Sequence, residues 1–302
     1  MSPLPRFPYE HRDLRLRAAS LGFLLVGFVA MCSSCATADP SSPRATHRRA
    51  LEARTPAGFT VVDEPPFFVV GDEPARDVRS HARDTVRWAV ALLQADYFAK
   101  QPNEIIDIWL FRDTDSYRSN TRAIFGETPT TPYGYYSARD HALIMNISTG
   151  GGTLVHEIVH PFMRANFPAC PPWFDEGLAS LYEACGERDG HIIGGVNWRL
   201  PGLQQAINDG TTLPFRQLMA LSASDFYGDS SGTGYNRYYG QSRYLCFYLQ
   251  ERGLLRRFYR EFVANAAADP TGYATLQRVV GEEDMAAFQQ KWESFVLRLT
   301  PP

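Results

Sequence analysis

The sequence has no excess of basic residues, few cysteines and no long apolar run. Its 302 residues carry 30 Lys and Arg against 33 Asp and Glu, a net charge of −3. It therefore lacks the basic field that nucleic-acid binding needs, and we expect no nucleic-acid partner. Cysteine is scarce at five residues. No apolar stretch reaches the roughly 20 residues of a membrane-spanning helix, and no internal repeat indicates a solenoid.

The N-terminal 38 residues have the pattern of an export signal. Arg12, Arg15 and Arg17 lie just before an apolar segment at residues 18–31, and small residues at 36–38 suit cleavage by a signal peptidase. Alternatively, Cys32 or Cys35 is the lipidated residue of a bacterial lipoprotein. Either outcome predicts an extracytoplasmic protein, secreted or anchored to a membrane through its lipid. Residues 39–58 read as a flexible tether, and 59–302 as the folded domain.

Three cysteines remain after residue 38, namely Cys170, Cys185 and Cys246. In an oxidising compartment a pair is expected. A Cys170–Cys185 bond would bracket the segment around Glu176, so this pair is the predicted disulfide. Cys246 lies in an apolar helical run and is predicted to be a buried thiol.

The hydrophobic patterning predicts an α+β domain with a strand-rich N-terminal half and a helical C-terminal half. We expect strands at 67–70, 105–111, 133–137 and 142–147, a long helix at 75–100 and a short helix from about 114 to 125. Later helices are predicted through 243–249, 254–266 and 285–299. A Gly- and Ser-rich loop is predicted from residue 228. The strand at 142–147 reads equally well as an exposed edge that adds a substrate peptide or as an interior strand.

The most informative motif is His156-Glu157-Ile158-Val159-His160. On a helix, residues four apart share one face, so His156 and His160 can bind a single metal ion. The surrounding residues are apolar, which is typical of a buried helix, and buried histidines need partners. Neutral imidazoles suit zinc, and we predict one zinc per chain. Glu157 is then placed to take a proton from the zinc-bound water.

A zinc ion held by two histidines needs a third protein ligand. Prolines after residue 167 break the first helix, and a new amphipathic run from about 173 to 185 returns the chain toward it. Glu176 lies in the first turn of that run and is the preferred ligand. Asp175 and Glu183 are its rivals.

With His156, Glu157 and His160 followed by Glu176 in Trp-Phe-Asp-Glu-Gly-Leu-Ala, residues 130–265 resemble the gluzincins. These zinc metallopeptidases include thermolysin-like enzymes and a group of aminopeptidases, and the match is nearest to a small bacterial peptidase-MA-like branch. The resemblance implies a zincin-like fold with the motif on its central helix and Glu176 as third ligand. One departure is Ser180, where thermolysin-like enzymes have an Asp that supports a histidine. The sequence does not identify the group that orients His156.

The resemblance also implies a tyrosine that donates a hydrogen bond to the oxyanion of the reaction. In the aminopeptidases that tyrosine opens a helix, and Tyr239 stands at the corresponding place here. The neighbouring Tyr238 and Tyr235 are rivals for the role. The lone histidines His47, His81, His141 and His191 are predicted to be ordinary surface polar residues.

The expected function is that of an exported zinc metallopeptidase with a peptide or protein substrate. Two other classes remain open. One is a zinc-stabilised surface protein that binds partners without turnover, and the other is a zinc hydrolase of a non-peptide amide, such as cell-wall material. The sequence does not define the substrate or the oligomeric state.

Overall fold

A five-stranded mixed sheet organises the N-terminal half of the protein, which we describe from a computed structural model covering residues 39–228 and 237–302. The predicted export signal and residues 229–236 of the predicted loop lie outside the described residues. The strands are β1 (Thr60–Glu64), β2 (Phe67–Gly71), β3 (Ile106–Phe111), β4 (Gly134–Ser137) and β5 (Ala142–Asn146), in the order β1-β2-β3-β5-β4.

The three central strands, β2, β3 and β5, are parallel, whereas β1 and β4 are antiparallel edges. Every residue of the central strands is buried, as expected for parallel strands covered on both faces. Strand β5 is therefore interior, so of its two predicted placements the exposed edge is wrong. The edge on this side is β4, which pairs with β5.

Helices cover both faces of the sheet. On one face lie α2 (Ala75–Ser80), a π-helical segment at His81–Arg87 and α3 (Trp88–Asp96), which together form the predicted long helix. On the other face lie α1 (Pro43–Arg54) and α4 (Thr114–Phe125). The alternation along β2 sends Phe67 and Val69 to the first face and Phe68 and Val70 to the second.

Helix α1 contradicts the prediction of a flexible tether at residues 39–58. Its Leu51 is buried in the core of the second face. The carboxylate of Asp107, which is 1% exposed, accepts from His47 Nε2 at 2.8 Å and from Arg54 Nη2 at 2.5 Å. The helix is thus held by one apolar anchor and by charge pairing with a strand more than 50 residues away. The sequence around α1 shows neither that Leu51 is buried nor that His47 and Arg54 pair with Asp107.

The C-terminal half is helical, apart from one hairpin. The metal-motif helix α5 (Gly151–Asn166) is followed by α6 (Pro172–Leu181), a 3-10 turn at Tyr182–Ala184, and the hairpin of β6 (Cys185–Arg188) and β7 (His191–Gly194). The remaining helices are α7 (Leu200–Asn208), α8 (Phe215–Met219), α9 (Ala223–Tyr227), α10 (Arg237–Glu251), α11 (Leu255–Asn265), α12 (Tyr273–Val280) and α13 (Met285–Leu297). Within the two described ranges, no helix is both long and apolar enough to cross a membrane.

Two glycines allow close approaches around α5 and α6. A Cβ at Gly152 in the first turn of α5 would overlap the backbone carbonyl of Glu183. A Cβ at Gly177 in α6 would lie 3.0 Å from the carbonyl oxygen of Ser242 in α10. Any larger residue would push these segments apart. The 3-10 turn therefore packs on α5, and α6 packs on α10.

The predicted Cys170–Cys185 disulfide is not formed, because both side chains are free thiols. The two residues lie beyond opposite ends of the ten-residue helix α6, which is about 15 Å long. A disulfide requires Cα atoms within about 7 Å. Cys246 is also free and fully buried, as predicted.

The role of α1 can be tested at Leu51. Leu51→Ala leaves a cavity under the helix and is expected to lower the free energy of unfolding by about 2–5 kcal/mol. Glu52→Ala, which removes an exposed pair with Arg48, should cost less than about 1 kcal/mol. Chemical denaturation of both variants would measure the difference. Equal free energies of unfolding for the two variants would indicate that residues 39–58 are a flexible tether after all.

Candidate metal centre

Helices α5 and α6 bring together the three side chains that the sequence predicted as metal ligands. His156 and His160 stand one helical turn apart with their ring centroids separated by 5.0 Å. Their Nε2 atoms lie 3.5 and 3.9 Å from the same oxygen, Oε2 of Glu176. The three ligand atoms lie within 4.8 Å of one another, and among the described residues this is the one cluster of its kind.

The buried state of this cluster favours a bound cation. Glu176 is 6% exposed, and its Oε2 atom has no hydrogen-bond partner although it is buried. A buried carboxylate oxygen without a partner is energetically costly unless a charge compensates it. Two imidazole nitrogens and one carboxylate oxygen that converge on one point can supply this compensation by holding a metal ion.

The two rival ligands, Asp175 and Glu183, occupy the opposite sides of the histidine rings. Oδ1 of Asp175 lies 3.0 Å from Nδ1 of His160, and Oε1 of Glu183 lies 3.5 Å from Nδ1 of His156. Carboxylates in this position fix the ring and favour Nε2 as the free ligand atom. The structure thus identifies Glu183 as the acidic group facing the outer side of His156.

Ser180 does not orient a histidine. Its side chain is fully buried and its hydroxyl has no hydrogen-bond partner, while its backbone carbonyl accepts from Nε of Arg243 at 2.9 Å. Glu183, on the 3-10 turn that follows α6, is the carboxylate that faces the outer nitrogen of His156, at 3.5 Å and without a hydrogen bond. The sequence predicted a helical run to about residue 185, with Glu183 two turns beyond Glu176 on the same face, whereas α6 ends at Leu181 and Glu183 lies in the 3-10 turn.

A second set of contacts holds Glu183 in place. Arg199 donates from Nε and Nη2 to the two carboxylate oxygens, at 2.8 and 2.6 Å. Asn197 Nδ2 donates to Oε2 at 2.8 Å. Burial alone would raise the pKa of Glu183, but the Arg199 hydrogen bonds lower it. The carboxylate therefore stays ionised beside His156.

The charged side chains of the cluster stabilise one another. Burial works against charge on both histidines, yet the carboxylates of Asp175 and Glu176 raise the pKa of His160, and Glu176 raises that of His156. Conversely, burial works against charge on Glu176, but the two histidines lower the pKa of its carboxyl. Because a metal ligand must be a neutral imidazole, metal uptake is expected to release protons.

Glu157 lies on α5 beside the cluster and is partly buried. Its carboxylate contributes to raising the pKa of both His156 and His160. It takes no part in the three-ligand cluster. Glu157 is thus a partly buried carboxylate next in sequence to His156 and is not a member of the cluster.

One tyrosine bonds to Glu176 and a second is electrostatically coupled to it, and the sequence did not single out the first. Burial and the Glu176 carboxylate raise the pKa of Tyr239, in the first turn of α10. Tyr227, at the end of α9, donates from its hydroxyl to Oε1 of Glu176 at 3.0 Å and is half exposed. No local pattern marks Tyr227, because α9 is a short helix remote in sequence from the motif.

The two rival tyrosines have different outcomes. Tyr238 is buried, packs on Phe226 with ring centroids 5.8 Å apart, and accepts a hydrogen bond from Arg237 at 3.1 Å. Tyr235 lies outside the described residues. Among the described residues, Tyr239 and Tyr227 are thus the two candidates for a phenol beside the cluster, and Tyr235 stays an untested rival.

The four lone histidines each pair with a carboxylate away from this centre. The distances are 2.8 Å for His47–Asp107, 2.9 Å for His81–Glu73, 2.6 Å for His141–Glu104 and 2.6 Å for His191–Asp96. All four are partly exposed, in keeping with the prediction of surface polar residues, but His47 belongs to a packed helix and not to a tether.

Comparisons with known proteins do not identify the chain. No protein-family model matches the sequence, and a search of curated proteins finds no match.

The cluster predicts stoichiometric metal binding through its histidines. His156→Ala removes one of three ligands and should abolish retention of one metal ion per chain, along with the rise in melting temperature that bound metal confers. His81→Ala, which removes a histidine paired with Glu73 outside the cluster, should retain both. Elemental analysis after dialysis and thermal melts would measure these effects. Full metal content in His156→Ala would contradict the assignment.

Proposed function

We propose that the protein is an exported, zinc-dependent metallopeptidase of the gluzincin type. The observation that carries the proposal is the convergence of ligand atoms of His156, His160 and Glu176 within 4.8 Å. Glu157, which follows His156 in the sequence, is not part of this cluster. Two histidines and one glutamate form the donor set of zinc peptidases. A tetrahedral zinc site needs ligand atoms about 3.3 Å apart, given bonds of about 2.0–2.1 Å. The separations of 3.5 and 3.9 Å to Glu176 are close to that requirement.

Each residue of the centre has a role in this proposal. His156, His160 and Glu176 would hold the ion, while Asp175 and Glu183 would keep the Nδ1 protons on the outer side of the rings. A bound zinc ion supplies Lewis acidity, which lowers the pKa of water toward neutrality.

Glu157 accepts the proton of the attacking water and returns it to the leaving amine, which is the task of a general base that later acts as an acid. A phenol hydroxyl, from Tyr239 or Tyr227, donates a hydrogen bond to the oxyanion that develops on the attacked carbonyl. Both tyrosines interact with Glu176, which supports a position near the reacting groups.

The sheet supplies a surface suited to a peptide. Strand β4 is an edge strand with one unpaired side, and unpaired backbone groups can bind an extended peptide by adding a strand. It is adjacent to β5, whose last residue, Asn146, lies five positions before the start of α5. We therefore assign substrate binding to β4 in place of β5.

The proposed activity can be tested with a panel of peptides and peptidoglycan fragments, each with and without a chelator. Chelator-sensitive cleavage of peptides alone would support a peptidase. Cleavage of cell-wall amides alone would favour the other class of zinc hydrolase. Stoichiometric zinc without any turnover would indicate a metal-stabilised binding protein.

If Glu157 is the general base and not a ligand, its replacement should reduce turnover without changing zinc binding. Glu157→Gln keeps the shape of the side chain but removes the proton acceptor, so turnover should fall by at least about two orders of magnitude with zinc content unchanged. Glu104→Gln, a carboxylate paired with the remote His141, serves as the matched control. Loss of zinc from Glu157→Gln would show that this residue is a ligand.

The two tyrosines can be separated by removing single hydroxyls. If Tyr239 is the oxyanion donor, Tyr239→Phe should lower kcat by about a hundredfold with unchanged zinc content and melting temperature. Tyr227→Phe loses a bond to Glu176 and should then affect kcat less. The opposite ranking in steady-state kinetics would move the role to Tyr227, and Tyr273→Phe controls for the loss of a distant hydroxyl.

A further inference from the structure

Arg199 joins two parts of the centre that come from different segments of the chain. Its guanidinium binds both oxygens of Glu183, at 2.8 and 2.6 Å. Its Cζ atom also lies 5.1 Å from the ring centroid of Tyr239 and 4.2 Å from that of Trp198. The side chain is 12% exposed. One planar group thus contacts the carboxylate behind His156 and the phenol ring of a proposed oxyanion donor.

The contact between Arg199 and Glu183 restrains the Glu183 side chain, whose backbone is already held by packing against α5. The carbonyl of Glu183 packs against Gly152 so closely that no Cβ would fit. The backbone of the 3-10 turn is therefore fixed relative to α5, the helix that bears His156. Nδ1 of His156 lies 3.5 Å from the Glu183 carboxylate, as an ion pair without a hydrogen bond. Rotation of the Glu183 side chain would move the carboxylate away from this nitrogen, and the two hydrogen bonds from Arg199 oppose that rotation.

The contact with Tyr239 constrains the ring in another way. A planar guanidinium stacks on aromatic faces, whereas a lysine ammonium is a point charge on a flexible stem. Cation–π contacts are stronger when the groups are shielded from water, and here the Arg199 side chain is 12% exposed and Tyr239 is partly buried. The Tyr239 ring is further bounded by Phe226, at a centroid distance of 5.3 Å. Loss of the guanidinium plane would thus remove one wall of the space that the ring occupies.

We propose that Arg199 is a positioning residue that sets the orientation of the metal ligand His156, through Glu183, together with the placement of the Tyr239 ring. The inference rests on the proposed function, because it takes His156 as a ligand. It goes beyond that function because it assigns to one residue, Arg199, control over both the orientation of His156 and the position of the Tyr239 ring.

A positioning role differs measurably from a general contribution to folding. Partners of a ligating histidine typically change metal affinity by about 10- to 100-fold when they are replaced. Arg199→Lys keeps the positive charge near Glu183 but loses the bidentate fork and the stacking plane. Glu183→Gln weakens the same interaction from its other side. If Arg199 only stabilised the fold, Arg199→Lys would lower the melting temperature and leave the metal site as it is.

The experiment measures metal release and ligand geometry in the full chain. Zinc transfer to a chelator is followed by stopped flow, and the visible spectrum is recorded after replacement of zinc by cobalt. We expect Arg199→Lys and Glu183→Gln each to speed release by about 10- to 100-fold and to shift the cobalt bands. The double variant should resemble the single ones, because both act through one contact. Arg216→Lys, which removes a guanidinium 4.0 Å from the ring of Tyr273, should match the wild type.

The coupling to Tyr239 has its own readout. Arg199→Lys should lower kcat with little change in KM, and the loss should be smaller in a Tyr239→Phe background. Wild-type release rates and cobalt spectra in Arg199→Lys would overturn the inference, and so would additive effects in the double variants. If Arg199→Lys does not fold, unaltered release from Glu183→Gln would overturn it equally. If the wild-type chain retains no metal, the result would instead contradict the proposed function, on which the inference about Arg199 rests.

Discussion

Charge pairing at the apolar crossing of α5 and α6 is the constraint on which the rest of this protein depends. His156, His160 and Glu176 are each nearly buried, and an unpaired charge in such surroundings would cost several kcal/mol. Each member of the cluster therefore faces an opposite charge, and Asp175 and Glu183 extend the pairing behind the histidine rings. A metal ion bound between His156, His160 and Glu176 would replace the protons that the two histidines carry. Its positive charge would then compensate the buried carboxylate of Glu176.

The surrounding architecture places these charges. The buried parallel strands give α5 a flat apolar surface to pack on, and glycines at two contacts bring the 3-10 turn onto α5 and α10 onto α6. Arg243, which is fully buried, donates to backbone carbonyls at the end of α6 and of Gly195, just after the hairpin. Arg199 then connects the turn to α10 through Glu183 and Tyr239. The site is thus assembled from α5, α6, the 3-10 turn, the segment around Arg199, α9 and α10.

Much of the fold could be predicted, and the errors share a physical cause. Long periodic segments such as 75–96, the central strands and the helices near 255 and 285 have enough apolar repeats to be recognised locally. Helix α1 was missed because it is anchored by Leu51 and by Asp107 in a distant strand. The disulfide and the edge-strand placement were wrong because helix α6 separates the cysteines and β4 covers β5. Short helices such as α8 and α9 carry too few residues to show a period.

The sequence by itself determined that His156 and His160 share one face of a helix, because four-residue spacing places two side chains on one face of any helix. It also indicated Glu176 and the adjacent Glu157 through a local motif. Only the tertiary structure decided that Glu183 faces His156, that Arg199 holds Glu183, and that Tyr227 reaches Glu176. These contacts join residues on separate elements, and their distances follow from how those elements pack. Local periodicity carries no information about that packing.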